Sequence, residues 1–184
     1  LTDRSPPIAG SGSEITALNF VGEGEQTLDG VGRVNFLNGG YFNAWNYWNQ
    51  DNRNYVRPLT VSGGVTAASL TIGSGITIDG FNGWIGETGL GLLNKGTIAS
   101  NAGGIVTVRG NWQNEGQMNA SNGYLYLRGD GVNKAGASIN VSGGSASLID
   151  AWDNDGTITL SGGELYIQNW NPSLLGTFTR TGGN

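Results

Sequence analysis

The chain contains no cysteine and no histidine. The first absence excludes a disulfide framework, a thiolate nucleophile and a Cys-type zinc site. The second excludes a Ser-His-Asp triad, an imidazole base and an ordinary transition-metal site. Cations are scarce as well, with nine Lys and Arg against fourteen Asp and Glu, for a net charge of −5. That balance argues against nucleic acid or an anionic membrane as partner. No apolar run approaches the length of a transmembrane helix, and LTDRSPPIAG at the start lacks a signal-peptide pattern. The start at Leu1 suggests a processed or excised chain. Low charge and zero cysteine fit an extracellular or cell-surface bacterial location. What is abundant is glycine, 34 of 184 residues, so the question is whether the glycines are placed periodically.

They are. Gly96, Gly116, Gly136, Gly156 and Gly176 lie twenty residues apart, the spacing of a solenoid repeat. Each opens a similar phrase, from GTIASNAGG at 96 to GTITLSGG at 156 and GTFTRTGG at 176. After the glycine pair comes a second alternating phrase, IVTVRG, YLYLRG, SASLID or ELYIQN. A third landmark runs through Leu92, Trp112, Val132, Trp152 and Pro172, and Asn94, Asn114 and Asn154 precede the opening glycine by two. The repeat is regular over 92–184, worn over 32–80, and reduced to half a unit in GSGSEITALNFVG at 10–22.

Alternation in TITL, YLYL and IVTV has period two, the signature of half-buried strands. No segment carries a helical stripe. Gly-Gly and Asn-Gly between strands supply positive φ at corners. Two or three short strands per twenty residues build one coil of a parallel β-helix. The fold expected is therefore all-β, one domain over 1–184, a right-handed parallel β-solenoid of roughly eight or nine coils. Its core ladders would be Ile98, Met118, Ile139, Ile158 and Phe178; Val106, Leu125, Ala146 and Leu165; and Val108, Leu127, Leu148 and Ile167. Corner asparagines suit an amide ladder between coils.

The phrase N-x-G-T-I, then G-G-x-L-x-I and a tryptophan, at 94–112 and 154–170, resembles the repeats of bacterial surface and secreted β-solenoids. Filamentous-haemagglutinin-like adhesins and autotransporter passenger domains are the examples. The resemblance implies architecture above all, because such repeats serve adhesins, fibres and coats alike.

Three regions depart from the coil. The insertion YFNAWNYWNQDNRNY at 41–55 offers Tyr41, Trp45, Tyr47, Trp48, Arg53 and Tyr55 for a polysaccharide or protein contact, or for a loop covering one face. Outward Tyr124, Tyr126 and Tyr166 with Trp152 and Trp170 make a second candidate patch. Asp150, Asp153 and Asp155 have the alternating spacing of a calcium loop but lack its distal glutamate, so calcium is a weak candidate and no other cofactor is expected. Nothing requires two carboxylates in one pocket, so no enzymatic activity is expected. The Thr157/Thr159 and Thr177/Thr179/Thr181 pairs do not continue over other coils, which removes an ice-binding array.

The last phrase stops at TRTGGN without a polar helix or charged cap, and the N-terminal segment 1–22 resembles the strand that would come next. Terminal coils left open need partners. Head-to-tail self-assembly into a homopolymer by coil stacking and strand addition is therefore expected, through Ile15, Leu18 and Phe20 at one end and Phe178, Thr179 and Thr181 at the other. The reading is a structural subunit of an extracellular fibre or sheath. The alternative is an adhesin or carbohydrate-binding module.

Overall fold

The structure, a computed structural model, describes residues 16–37, 54–64 and 66–184. Its only helical element among these is a 3-10 turn, Pro172–Leu174. Every pairing between described strands is parallel. The strands follow one another around three faces, so each coil stacks on the one before it. The result is a β-solenoid.

Face A stacks β1 (Thr16–Gly22), β4 (Asn54–Thr60), β7 (Gly83–Ile85), β10 (Ile105–Val108) and β13 (Tyr124–Leu127), then the second halves of β15 (Ser138–Leu148) and β17 (Thr157–Ile167). Face B stacks β2 (Glu25–Leu28), β5 (Ser69–Ile72), β8 (Gly91–Asn94), β11 (Asn111–Asn114), β14 (Gly131–Asn133) and β16 (Trp152–Asn154). Face C stacks β3 (Gly32–Phe36), β6 (Ile76–Gly80), β9 (Thr97–Ser100) and β12 (Gln117–Ala120), then the first halves of β15 and β17, and last β18 (Thr177–Arg180).

The three expected ladders are in register. Ile98, Met118, Ile139, Ile158 and Phe178 face one another rung by rung on face C. Val106, Leu125, Ala146 and Leu165, with Val108, Leu127, Leu148 and Ile167, do so on face A. Alternation makes this work, because every second side chain points inward and rungs about 4.8 Å apart bring identical positions into contact.

Three details differ from the sequence expectation and a fourth adds to it. First, the described strands stack seven deep on faces A and C and six deep on face B, fewer than the eight or nine coils expected of the whole chain. Second, β15 and β17 each run unbroken for 11 residues around the corner between faces C and A. There the glycine pair bends the strand instead of ending it, with a register shift near Ser142. Third, Gly131, not Val132, stands in the column of Leu92, Trp112 and Trp152. A Cβ at Gly131 would lie inside the Trp112 indole, so glycine here makes room for the ring of the rung below. Fourth, Gly116 does not have positive φ; a Cβ there would strike the Gly96 carbonyl oxygen. Close approach of stacked corners, rather than handed backbone, accounts for that repeat glycine.

Candidate binding face

The sequence singled out Tyr41, Trp45, Tyr47, Trp48, Arg53 and Ile15, which lie outside the described residues. Tyr55 is on β4 and buried, its ring edge-on to Trp84 at 5.6 Å between centroids. Leu18 and Phe20 of β1 share the register of Val56 and Pro58 and so point inward at the first described rung, where Leu18 is exposed and Phe20 half-buried. β1 pairs with β4 of its own chain. Phe178 points inward at the last rung of face C and is 37% exposed; Thr179 lies outward beside it. The Thr181 N–H donates to the Leu160 carbonyl.

The aspartates take separate duties. Asp150 Oδ2 accepts from the Gly129 N–H at 3.0 Å, and Asp153 Oδ1 accepts from the Asn154 N–H at 2.9 Å. Asp155 is exposed at a corner. Among the described residues no three acidic groups are grouped to hold a metal ion. Nor, among them, is any helix long and apolar enough to cross a membrane.

Trp152 is a correction. It is buried in face B, with its Nε1–H donating to the Gln168 carbonyl at 2.9 Å, because position 152 repeats the inward register of Trp112. Trp170 is exposed. A cavity of about 290 Å³ lies beside Trp152, lined also by Asp150, Ala151, Asn169 and Leu174. The last rung also carries a charge the sequence reading did not anticipate. Arg180 stands in the inward register of Leu160, and its guanidinium turns back to the Gly183 carbonyl.

The structure gathers a further set of side chains on the outside of face A. One outward column reads Ala17, Tyr55, Trp84, Thr107, Tyr126, Ser147 and Tyr166. A second reads Ile105, Tyr124, Ser145 and Glu164. Tyr124 and Tyr126 lie nearly parallel, 6.4 Å between centroids and 15° between planes. Arginines follow the aromatic column. Arg57 covers the Tyr55 ring at 4.5 Å and Arg109 covers the Trp84 ring at 3.8 Å, both cation–π distances. Glu87 bridges them, 2.9 Å from Arg57 and 3.6 Å from Arg109. Arg109 also donates to the Thr88 hydroxyl and Arg57 to the Asn19 amide oxygen. Burial lowers the Arg109 pKa; Glu87 pulls it up, and the charges of Arg128 and Arg57 push it further down.

Sequence reading found the tyrosines of this face and missed Trp84, Arg57, Glu87 and Arg109 as a group. The signal was present in part, since Arg109 and Arg128 both close the phrase before a corner glycine. Arg57 and Trp84 lie in the worn half, where the register is hard to count. No protein-family model matches the chain, and neither does any curated protein or solved structure.

Proposed function

We propose that the chain is a structural building block of an extracellular bacterial fibre or sheath, a right-handed solenoid whose terminal rungs are continued by the next copy. One observation carries this reading. The apolar residues packed against the core but only partly buried are Phe20, Leu28 and Val34 at one end and Leu165, Ile167, Leu174 and Leu175 at the other. Elsewhere the ladders bury their neighbours completely, so among the described residues the partly open apolar positions lie at the two ends of the stack.

Parallel pairing gives the two ends opposite character. A contact between them is therefore head-to-tail and repeats without limit unless the rotation closes a ring. Faces A and C carry the junction in this proposal, since the 3-10 turn lies over the last strand of face B, where Asn154 donates to the Leu175 carbonyl. The repeat resemblance to bacterial surface solenoids supports the extracellular setting. Neither a cofactor nor a catalytic step is part of it.

Negative-stain electron microscopy of the full chain at micromolar concentration tests the proposal. Uniform filaments are expected, with or without a calcium chelator, and Phe178→Asp should shorten them to isolated rods while leaving the circular dichroism unchanged. Isolated rods from the unmodified chain would overturn it.

A further inference from the structure

Face A gathers three arginines along one edge of an otherwise acidic protein. The whole protein has nine Lys and Arg and a net charge of −5. Yet Arg57, Arg109 and Arg128 lie along one edge of this face, with Glu87 the single carboxylate paired to any of them among the described residues. Arg128 is exposed and makes no ion pair among the described residues. Its backbone N–H donates to the Val108 carbonyl, one residue before Arg109, so the two guanidinium groups leave consecutive rungs at adjacent positions. Like charges so placed repel, and an anion between them relieves the repulsion.

Beside Arg128 the surface changes character. Tyr124, 45% exposed, and Tyr126 present two near-parallel rings. The next rung offers only Ser145 and Ser147, and the one after it Glu164 and Tyr166, the latter 71% exposed. A rung of two serines between rungs bearing tyrosines leaves a slot two rung steps wide, about 10 Å between the flanking backbones. Its floor is hydroxyl, one wall is Tyr124 and Tyr126, and the other is Tyr166 beside the Glu164 carboxylate, which leaves the Arg128 side as the end open to an anion. Rings with hydroxyl edges and apolar faces fit such a slot, and a carboxylate on that ring fits the planar fork of an unpaired arginine.

We propose that this part of face A, Tyr124, Tyr126, Ser145, Ser147 and Tyr166 with Arg128 at its edge, binds an acidic polysaccharide. Arg128 takes the carboxylate of one sugar unit and the tyrosines take its ring. Arg109, held by Trp84 and Glu87, adds charge one rung below. The site is separate from the terminal rungs and does not depend on assembly.

The test is depletion of the full-length protein from solution by agarose beads carrying polygalacturonate, dextran or polyglutamate. Polygalacturonate beads should retain it, with retention falling as salt rises; dextran lacks the charge and polyglutamate the sugar ring, so both should retain it at least about tenfold less. Arg128→Gln should weaken retention by about tenfold, the worth of one charge-assisted hydrogen bond, and Tyr126→Ala should weaken it further. Lys95→Gln, an equal charge change at an exposed corner of face B, should leave retention unchanged. Equal retention on all three beads, none on polygalacturonate, or equal losses in Arg128→Gln and Lys95→Gln would each overturn the proposal. Arg128 is exposed, so unchanged circular dichroism is expected and serves as the folding control.

Discussion

One inward column of face B changes its chemistry halfway along the solenoid. At its lower end stand Leu28 and Ile72; above them, in the same register, stand Asn94, Asn114, Asn133 and Asn154. The aliphatic half gains by exclusion of water, which has no direction. The amide half gains only if every donor and acceptor is matched. Here the chain runs one way: the Nδ2 of Asn94, Asn114 and Asn133 each donates to the Oδ1 of the next coil at 2.6–2.7 Å. Asn154 Nδ2 ends it on the Gly156 and Leu175 carbonyls, so that Asn94 Oδ1 at the other end is the one amide acceptor of the chain without a donor among the described residues. A slip of two residues, which keeps each side chain on its face, would leave leucine and isoleucine contacts replaceable but would break the amide chain. The upper coils are therefore locked in register from inside.

The lower coils are held from outside instead. Asp79 of β6, nearly inaccessible, accepts from Arg33 and Asn35 of β3 at 2.8 Å each and from Asn101 at 3.0 Å, with Arg33 also 2.7 Å away as an ion pair. The two halves thus use the same stacking with different polar locks, a neutral chain of amides above and a carboxylate hub below.

The largest effect should come from cutting the amide chain in its middle. Asn114→Leu removes an acceptor from Asn94 and a donor from Asn133, both buried. The loss expected is about 3 kcal/mol, from Asn133 Oδ1 left without a donor together with the bonds Asn114 makes to Asn94, to the Ser138 carbonyl and to the Gly116 N–H. Urea unfolding monitored by circular dichroism measures it, and a loss under ~1 kcal/mol would mean the amides do not lock the upper coils.

Gly131→Ala attacks the neighbouring column of the same coils. The new methyl meets the Trp112 indole, which is buried and whose Nε1–H has no acceptor among the described residues. Overpacking of this kind costs about 2 kcal/mol. Displacement of the indole toward water should also shift Trp fluorescence to the red. Unchanged emission would show that the ring has room the column does not reveal.

Acid should separate the halves. Burial pushes the Asp79 carboxyl up, but hydrogen bonds from Arg33, Asn35 and Asn101 and the Arg33 charge outweigh it, and its pKa lies below the usual carboxylate value. A carboxylate lowered on folding contributes stability that is complete above the unfolded value of about 4. That contribution disappears as pH falls through the lower folded value. Amide exchange read by mass spectrometry should then show β3 and β6 opening below about pH 4 while β11, β14 and β16 stay protected. Asp79→Asn should abolish the difference. Simultaneous opening of both halves would remove the distinction drawn between them.

The upper half was also the legible half, for the same reason. Its ladders could be read as Ile98 to Phe178 and Val106 to Leu165 because inward residues recur at nineteen to twenty-one positions inside phrases that look alike. Asn133 escaped because it stands three residues before Gly136, where Asn94, Asn114 and Asn154 stand two before their glycines, a one-residue shift that enters at the corner before β13. That same shift put Val132 where Gly131 belongs. Asp79 escaped for another reason: its partners lie 46, 44 and 22 residues away, and no periodic phrase marks them. Arg180 was not anticipated, because an inward charge is sensible only at a terminal rung. Periodicity reports what every coil shares; locks and sites sit where one coil differs.

The smallest effect expected is the sharpest check on the comparison. Asn94 is where the two chemistries meet, with Ile72 below it, and its Oδ1 is buried with no donor among the described residues. Asn94→Leu deletes that orphan along with the Nδ2 bonds to Asn114 Oδ1, the Gly96 carbonyl and the Gln117 carbonyl. Asn114 Oδ1 then becomes the new end of the chain, but it retains the Gly116 N–H at 3.3 Å. Losses and gains nearly cancel, so the change should be within about 1 kcal/mol, well under that of Asn114→Leu. A directional chain has one end that can be shortened and a middle that cannot. Equal costs at 94 and 114 would mean that leucine fails for lack of space rather than for lack of hydrogen bonds, and the boundary between the two halves would then be a matter of packing alone.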